Sequence, residues 1–515
     1  MSGLTRDRAD ELLWKLGFES FRPGQHEAVE AALAGRDSLI VMPTGGGKSL
    51  CYQLPGLATE DLTIVVSPLI ALIVDQWTRL NAAGHPVAMI TSAMADDAVR
   101  EALRQVRGGE ARMVYCSPER FASRFFLEAI DQRRVDLLAV DEAHCVSEWG
   151  HDFRPDYLRL PQIAEQLGRP TVMACTATAT EAVAREIAAR FGMRDPLQVR
   201  SGFDRPNLSF DVVRLEGKGS KARRLALLEA GLADPANRPA IVYCGTRRDS
   251  DEIAATLREA GLRALPYHAG MEAEARGVAQ RRFMDGEVEV VVATNAFGMG
   301  VDKADVRSVW HVAIPTSLEA YYQEAGRAGR DGLPARAVLL AMKSDLGRLV
   351  RFNQQRAGDP DLAIAHERGW RDYRTIKAFI YSDRCRRRSV LTHFGDRQAG
   401  RPLGRCCDFC DPGGGLPDPE TIVIRQTSGA RQPKAPPPEL GAADAALFER
   451  LKEWRLRAAA GKPAYTVAHN STLTAIAASR PADADALLAI RGVGPSFVAK
   501  HADEVLAIVG EHVPA

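Results

Sequence analysis

A short apolar run ending in a glycine cluster and a lysine constrains this chain more than any other stretch. Leu39-Ile40-Val41-Met42 reads as a buried strand, Gly45-Gly46-Gly47 as a tight turn, and Lys48-Ser49 as the start of a helix through Leu57. Successive glycines let backbone N–H groups approach phosphate oxygens with no β-carbon in the way. The following helix points its N-terminus at the same anion. Thr44, Gly45, Gly46, Gly47, Lys48 and Ser49 are therefore the candidate nucleotide phosphate site, with Lys48 reaching the β- and γ-phosphates and Ser49 a ligand for Mg²⁺. The strict phosphate-loop pattern wants glycine where this chain has Met42.

At 515 residues the chain is too long for one ordinary domain. Its formal net charge of +1 excludes a globally basic protein, so any nucleic-acid surface must be local. No apolar run approaches the roughly 18 residues of a membrane span. The N-terminal stretch reads as an amphipathic helix without an apolar signal core, which leads to the expectation of a cytoplasmic protein, nucleoid-associated if bacterial. Of nine cysteines, four cluster between Cys385 and Cys410, which favours one metal site plus free thiols over a disulfide framework.

Strand-like runs recur at 38–42, 63–67, 112–116, 137–141 and 171–175 with helical stretches between them, predicting a parallel α/β sheet. Ligands of such sheets lie outside the carboxyl ends of the strands. The polar residues gather there: Ser67-Pro68, Ser117-Pro118-Glu119, Asp141-Glu142-Ala143-His144 and Thr176-Ala177-Thr178. Two adjacent carboxylates can divide labour. Asp141 would hold Mg²⁺ through its water shell, and Glu142 would orient and deprotonate an attacking water. Trp149 and Phe153 supply stacking faces for bases, and His151 and Arg154 supply donors or charge, directly after that pair.

Gly45-Lys48-Ser49, Asp141-Glu142-Ala143-His144 and Thr176-Ala177-Thr178 together resemble the superfamily 2 helicases, which use PTGxGKS in place of the strict loop. The run from Cys145 to Pro155, CVSEWGHDFRP, is similar to the aromatic-rich loop of the RecQ family of DNA helicases. Phe18-Glu19-Ser20-Phe21-Arg22-Pro23-Gly24-Gln25 resembles that family's adenine-recognition motif. The resemblance implies that Gln25 reads the adenine edge while Arg22 and Phe18 flank the ring. The family usually has Tyr where this chain has Phe18, which keeps the stacking face and loses a hydroxyl. The resemblance also implies that the aromatic loop couples DNA binding to hydrolysis, with His144 in the catalytic set.

Residues 206–340 repeat the alternation, with runs at 240–244, 288–293, 308–312 and 337–341 and no phosphate loop. Tyr267-His268-Ala269-Gly270, the run Ala293 to Lys303, and Gln323 to Gly332 (QEAGRAGRDG) are similar to RecQ helicase motifs IV to VI. Arg327 and Arg330 are three apart, on one face if helical, and either can serve as an arginine finger on developing γ-phosphate charge, with Gln323 beside them. Ser67 and Thr294 are expected contacts to the backbone of the nucleic-acid track, giving low sequence specificity.

Cys385, Cys406, Cys407 and Cys410 suit a tetrahedral structural Zn²⁺. RecQ members commonly carry a ligand where this chain has Gly404. Cys406 stands in its place, as in the similar Cys-Cys-Asp-x-Cys ending of Werner-type members. Arg386, Arg387 and Arg388 beside it are candidate phosphate contacts. Residues 412–442, rich in Pro and Gly, read as a flexible linker. Many RecQ proteins place a winged-helix domain here, and some thirty residues are too few for one. Leu447, Leu451 and Trp454 share a helix face in a small helical unit that resembles the HRDC domain. Tyr465 and Lys500, and the N–H groups of Gly492 and Gly494, are its candidate DNA contacts.

The resemblance thus implies an α/β protein: a RecA-like lobe over 1–205, a second over 206–340, a helical zinc-binding module over 341–411, the linker over 412–442, and an all-α HRDC domain over 443–515. The implied activity is ATP-dependent 3′-to-5′ DNA translocation and unwinding in repair and recombination, with ATP, Mg²⁺ and Zn²⁺. Single-stranded and tailed or forked DNA are the expected partners, and a single-stranded-DNA-binding protein is a candidate one. A DNA-stimulated translocase or remodeller with weak unwinding is the alternative from the same engine. A nucleic-acid-binding adaptor is the alternative of another class.

Overall fold

The computed structural model describes residues 2–43, 45–147, 154–297, 303–357, 359, 362–396, 399–422, 442–459, 467–468, 470–490, 493 and 495–511. The chain divides into two units, Met1–Ile424 and Arg425–Ala515.

The first lobe is a parallel sheet of β1 (Ser38–Val41), β2 (Leu62–Val66), β3 (Val87–Ile90), β4 (Met113–Cys116), β5 (Val135–Val140), β6 (Thr171–Thr176) and β7 (Leu197–Arg200). Their order is β3-β4-β2-β5-β6-β1-β7. The central strands read as continuous apolar runs because both faces are covered. In β1, Leu39 and Val41 enter one core while Ile40, followed by Met42, enters the other. Four helices matter for the site: α1 (Ser2–Lys15), α2 (Gln25–Leu33), α3 (Lys48–Ala58) and α4 (Ile70–Ala82).

The second lobe contains β8 (Leu208–Leu215), β9 (Ala240–Tyr243), β10 (Ala264–Tyr267), β11 (Val290–Ala293), β12 (Ser308–His311) and β13 (Ala335–Met342), all parallel in the order β10-β11-β9-β12-β13-β8. Four strands were absent from the sequence reading: β3, β7, β8 and β10. They are the four outer strands of the two sheets.

Helices Lys343–Gln355, Ala363–Tyr381 and Arg386–His393 form a module against the second lobe. Its join is polar and buried. Arg386, only 3% exposed, pairs with Asp408 at 3.0 Å and donates to the carbonyls of Phe379 and Ser382 at 2.6 and 2.8 Å. Arg387 is equally buried and bidentate to Asp204. The expectation that these two arginines touch phosphates is therefore corrected. A buried guanidinium needs a matched acceptor, and both have one inside the protein. Arg388 alone of the three is exposed.

The segment after the last helix covers the open edge of β8. Phe210 N–H donates to the Cys406 carbonyl at 3.1 Å, and Val212 N–H to Asp408 Oδ1 at 3.2 Å. Covering an outer strand removes its unpaired hydrogen-bonding groups from solvent. Leu416 and Ile422 pack on the apolar cluster of the second sheet, so the stretch expected as free linker from 412 is seated on the lobe through Ile422.

The second unit contains helices Ala442–Ala458, Asn470–Ser479, Ala484–Leu488 and Pro495–Gly510. Leu447, Leu451 and Trp454 form one buried face against Leu473, Ile476, Leu487 and Val505, as their spacing predicts.

Candidate nucleotide and metal sites

The carboxyl end of β1 turns through Gly45 and Gly47, both at positive φ (83° and 81°), into α3. A β-carbon at Gly47 would stand 2.2 Å from Gln25 Nε2, so a side chain there would be strained and would have to displace the Gln25 amide. Lys48 Nζ donates back to the Met42 carbonyl at 3.0 Å. Thr44 lies outside the described residues.

Phe18, Gly45, Gly47, Lys48 and Ser49 line one wall of a cavity of about 530 Å³. Asp141 and Glu142, directly after β5, line it too, together with Gln323, Arg327 and Arg330 of the second lobe. The two arginines are not on a helix. The helix Leu318–Ala325 ends before them, and a turn carries both into the cavity. A β-carbon at Gly45 would stand 3.7 Å from Arg330 Cγ.

Gln25 is 2% exposed. Its Nε2 donates to the Gly47 carbonyl at 3.0 Å, and its Oε1 accepts from Arg22 N–H at 2.8 Å. The Arg22 side chain donates to the Gly45 carbonyl. Both residues thus grip the phosphate loop itself, while Phe18 is half exposed on the same cavity.

Asp141 is 3% exposed; burial and the neighbouring Glu142 push its carboxyl up to about 7, with Lys48 opposing. Such a carboxylate pair suits a hard cation, and the oxygen donors of Ser49 and Asp141 fit Mg²⁺. Glu142 sits at φ 47°, a strained conformation of the kind concentrated at functional sites. His144 Nδ1 lies 3.3 Å from Glu142 Oε2 and 2.9 Å from Thr176 Oγ1. Burial opposes charge on His144, but Cys145 and Glu142 outweigh it and push the imidazole up to about 10. His144 thereby ties the end of β5 to the end of β6.

Sequence reasoning missed Gln76. Its Nε2 donates to Ser49 Oγ at 3.1 Å, and its Oε1 accepts from Tyr52 Oη at 2.9 Å. Gln76 shares the buried face of α4 with Ile73 and Leu80. A polar residue in an apolar stripe was the available signal.

The expected track contacts include residues of both lobes. Ser67 directly follows β2 and is 2% exposed, and Thr294 follows β11 half-buried. Arg154 Nη1 donates to the Pro68 carbonyl at 3.2 Å, which joins it to the end of β2. Trp149, His151, Phe153, Tyr465, Gly492 and Gly494 lie outside the described residues; Lys500 is exposed.

The sulfurs of Cys385, Cys406, Cys407 and Cys410 lie within 4.8 Å of one another. Cys385 Sγ is 3.6 Å from Cys406 Sγ and 3.9 Å from Cys407 Sγ. Thiolates about 2.3 Å from a tetrahedral zinc stand about 3.8 Å apart, so the four sulfurs fit that ion. Backbone N–H groups of Arg388 and Cys410 point at Cys385 and Cys407 at 3.5 and 3.4 Å, and such donors favour the thiolate.

A phosphate loop and paired carboxylates on one parallel-sheet lobe, facing arginines on a second, define the class of two-lobed nucleotide-driven helicase motors. Residues 22–187 match the DEAD/DEAH box helicase family, 209–332 the helicase conserved C-terminal domain and 444–509 the HRDC domain. The chain is 39% identical over 410 residues to an ATP-dependent DNA helicase RecQ of Pasteurella multocida, covering 79% of this chain and 63% of that protein. It is 38% identical over 406 residues to the RecQ helicase of Bacillus subtilis, covering 78% and 67%. A Mycobacterium smegmatis helicase Lhr, solved with single-stranded DNA and AMP-PNP, shares the fold at TM-score 0.51 and 23% identity over 69% of this chain and 50% of that one. The chain belongs to the RecQ family of ATP-dependent DNA helicases. It spans a little under two thirds of the Pasteurella relative's length. No helix among the described residues is long and apolar enough to cross a membrane.

Proposed function

We propose that this chain hydrolyses ATP in the cavity between its lobes and uses the cycle to move 3′-to-5′ along single-stranded DNA, unwinding tailed or forked duplexes. The observation that carries the reading is the facing of Gly45 and Arg330 across a cavity that also holds Lys48, Asp141, Glu142 and Gln323. Lys48 binds the β/γ-phosphates, Glu142 accepts a proton from water, and Arg327 or Arg330 meets charge developing on the γ-phosphate. Ser49, and Asp141 through the metal's water shell, would hold Mg²⁺, which would supply positive charge against the phosphates. Gln25, Arg22 and Phe18 form the base end of the site. Opening and closing of the lobes, biased by nucleotide, gives net motion if each lobe grips the strand in alternation.

Ser67, Thr294, Arg154 and the aromatic residues Trp149, His151 and Phe153 are the DNA contacts of this reading, with Tyr465 in the HRDC unit. The four cysteines would hold Zn²⁺ in a structural role, because protein would fill all four positions. The named relatives are DNA helicases, which supports DNA as the track.

A second reading has the same engine with weak unwinding. It is favoured by the short spacer between Cys410 and the HRDC unit, where many relatives carry a winged helix. Unwinding of 3′-tailed, 5′-tailed and blunt duplexes with ATP decides between the two. Selective opening of the 3′-tailed duplex supports the first. Strong DNA-stimulated hydrolysis with no strand separation supports the second.

A further inference from the structure

The two lobes are joined by a strap, Ser201 to Asn207, that bonds to the strand leading into the phosphate loop on one lobe and to the turn carrying Arg327 and Arg330 on the other. At its start, Ser201 N–H donates to the Val41 carbonyl at 3.2 Å, on the strand that leads into the phosphate loop. At its end, Arg205 reaches the turn that carries Arg327 and Arg330. Arg205 Nη1 donates to the Gly326 carbonyl at 3.1 Å, and Nη2 to the carbonyls of Ala328 and Gly329 at 2.8 Å each. Asn207 Nδ2 adds bonds to the carbonyls of Gly329 at 2.7 Å and Leu333 at 2.8 Å.

These acceptors lie in the turn just beyond the helix Leu318–Ala325, whose own last carbonyls at Tyr322, Glu324 and Ala325 are taken by N–H groups of that turn. The planar fork of a guanidinium can hold three carbonyls at once; a lysine ammonium cannot fix the same geometry. Burial pulls the Arg205 pKa below the ordinary arginine range. The turn is shaped to receive the strap: Gly329 has φ 58°, and a β-carbon there would stand 2.5 Å from Asn207 Nδ2.

The rest of the strap is pinned as well. Phe203 stacks on Phe394 at 4.4 Å, Tyr322 Oη donates to the Phe203 carbonyl at 2.7 Å, and Asp204 pairs with the buried Arg387. A closed circuit results: β1, phosphate loop, Arg330, its turn, Arg205, strap, and back to β1.

We infer that Arg205 is a positioning residue for hydrolysis, holding the turn between Gly326 and Gly329 so that Arg327 and Arg330 face the phosphate loop as the lobes move about the strap. Asn207 does the same work at Gly329. The inference rests on the proposed role of Arg327 and Arg330, and its test separates the two.

The test uses the full chain with single-stranded DNA, comparing wild type, Arg205→Lys, Asn207→Ser and Arg330→Ala. Each is assayed for kcat and KM for ATP, and for affinity for ADP and for ADP–aluminium fluoride, which mimics the transition state. Arg205→Lys is expected to lower kcat about 10- to 100-fold with KM little changed, as small misplacements of catalytic groups do. It is also expected to weaken ADP–aluminium fluoride selectively over ADP. Asn207→Ser shows the same selectivity to a smaller degree, and it carries the test if Arg205→Lys does not fold. A merely structural role would lower thermal stability and leave the ratio of the two affinities at its wild-type value, which overturns the inference. If Arg330→Ala loses turnover while the strap variants keep that ratio, positioning fails alone. If Arg330→Ala keeps full turnover, the reading of the turn fails first, and the inference with it.

Discussion

Gly45 in the phosphate loop and Arg330 in the second lobe face each other closely: a β-carbon on Gly45 would stand 3.7 Å from Cγ and 3.9 Å from Cδ of Arg330. Gly45 also sits at φ 83°, so a branched side chain there is disfavoured twice over. Gly45→Val should therefore abolish ATP turnover while thermal stability falls only modestly, since the loop lines a cavity rather than a core. Steady-state hydrolysis and a melting curve check this. Retained turnover would show that the loop and Arg330 need not approach.

Arg330→Ala should lower DNA-stimulated kcat about a thousand-fold, the lower range seen for arginine fingers, with nucleotide affinity changed only a few-fold. Arg327→Ala run beside it identifies which arginine carries the larger share. Fluorescent-nucleotide binding separates lost chemistry from lost binding.

Gln76 orients Ser49 through its 3.1 Å hydrogen bond and is itself anchored by Tyr52. Partners of metal ligands typically contribute about 10- to 100-fold in metal affinity. Gln76→Ala should raise the Mg²⁺ concentration for half-maximal hydrolysis, with saturating Mg²⁺ restoring much of kcat. A Mg²⁺ titration at fixed ATP reads this directly. An unchanged midpoint would mean that Ser49 needs no such support.

Breaking a buried ion pair by removing one partner costs about 3–5 kcal/mol. Arg387→Ala leaves Asp204 without its guanidinium, and so should lower unfolding stability by about that amount. Arg388→Ala, on the exposed side, should change stability by less than about 0.5 kcal/mol. Denaturant titration of both variants distinguishes a structural Arg387 from a DNA contact.

The four-sulfur cluster predicts about one zinc per chain by elemental analysis. Cys406 also supplies the carbonyl that pairs with Phe210 on the edge of β8. Stripping the metal should therefore uncover that edge and lower the melting temperature, with increased aggregation. Zinc-free protein with an unchanged melting curve would assign the cysteines no structural role.

How much of this was legible depended on burial. The inner strands of both sheets are covered on two faces, so runs such as Ile64-Val65-Val66 and Val290-Val291-Val292 announced themselves. Three of the four outer strands carry polar or awkward residues: Gln198 and Arg200 in β7, Asp211 and Arg214 in β8, Pro266 in β10. Proline is tolerated on an outer strand because a missing N–H there costs little. β7, β8 and β10 thus offered no clean apolar run, whereas β3, Val87-Ala88-Met89-Ile90, is an apolar run of only four residues that the reading passed over. The phosphate loop and the carboxylate pair were visible because their chemistry is local in sequence. Arg205 was not, since the carbonyls it holds lie more than a hundred residues away. Arg386 and Arg387 read as candidate phosphate contacts because their partners Asp408 and Asp204, 22 and 183 residues away, are not visible in the local sequence.

The central claim is that nucleotide is hydrolysed between the two lobes and that DNA controls the rate. Its most direct test is ATP hydrolysis by the full chain with Mg²⁺, with and without single-stranded DNA, set beside Lys48→Ala. The account predicts a large stimulation by DNA and none in the variant, whose single-stranded DNA binding should persist. Hydrolysis indifferent to DNA, or equal in Lys48→Ala, would contradict it.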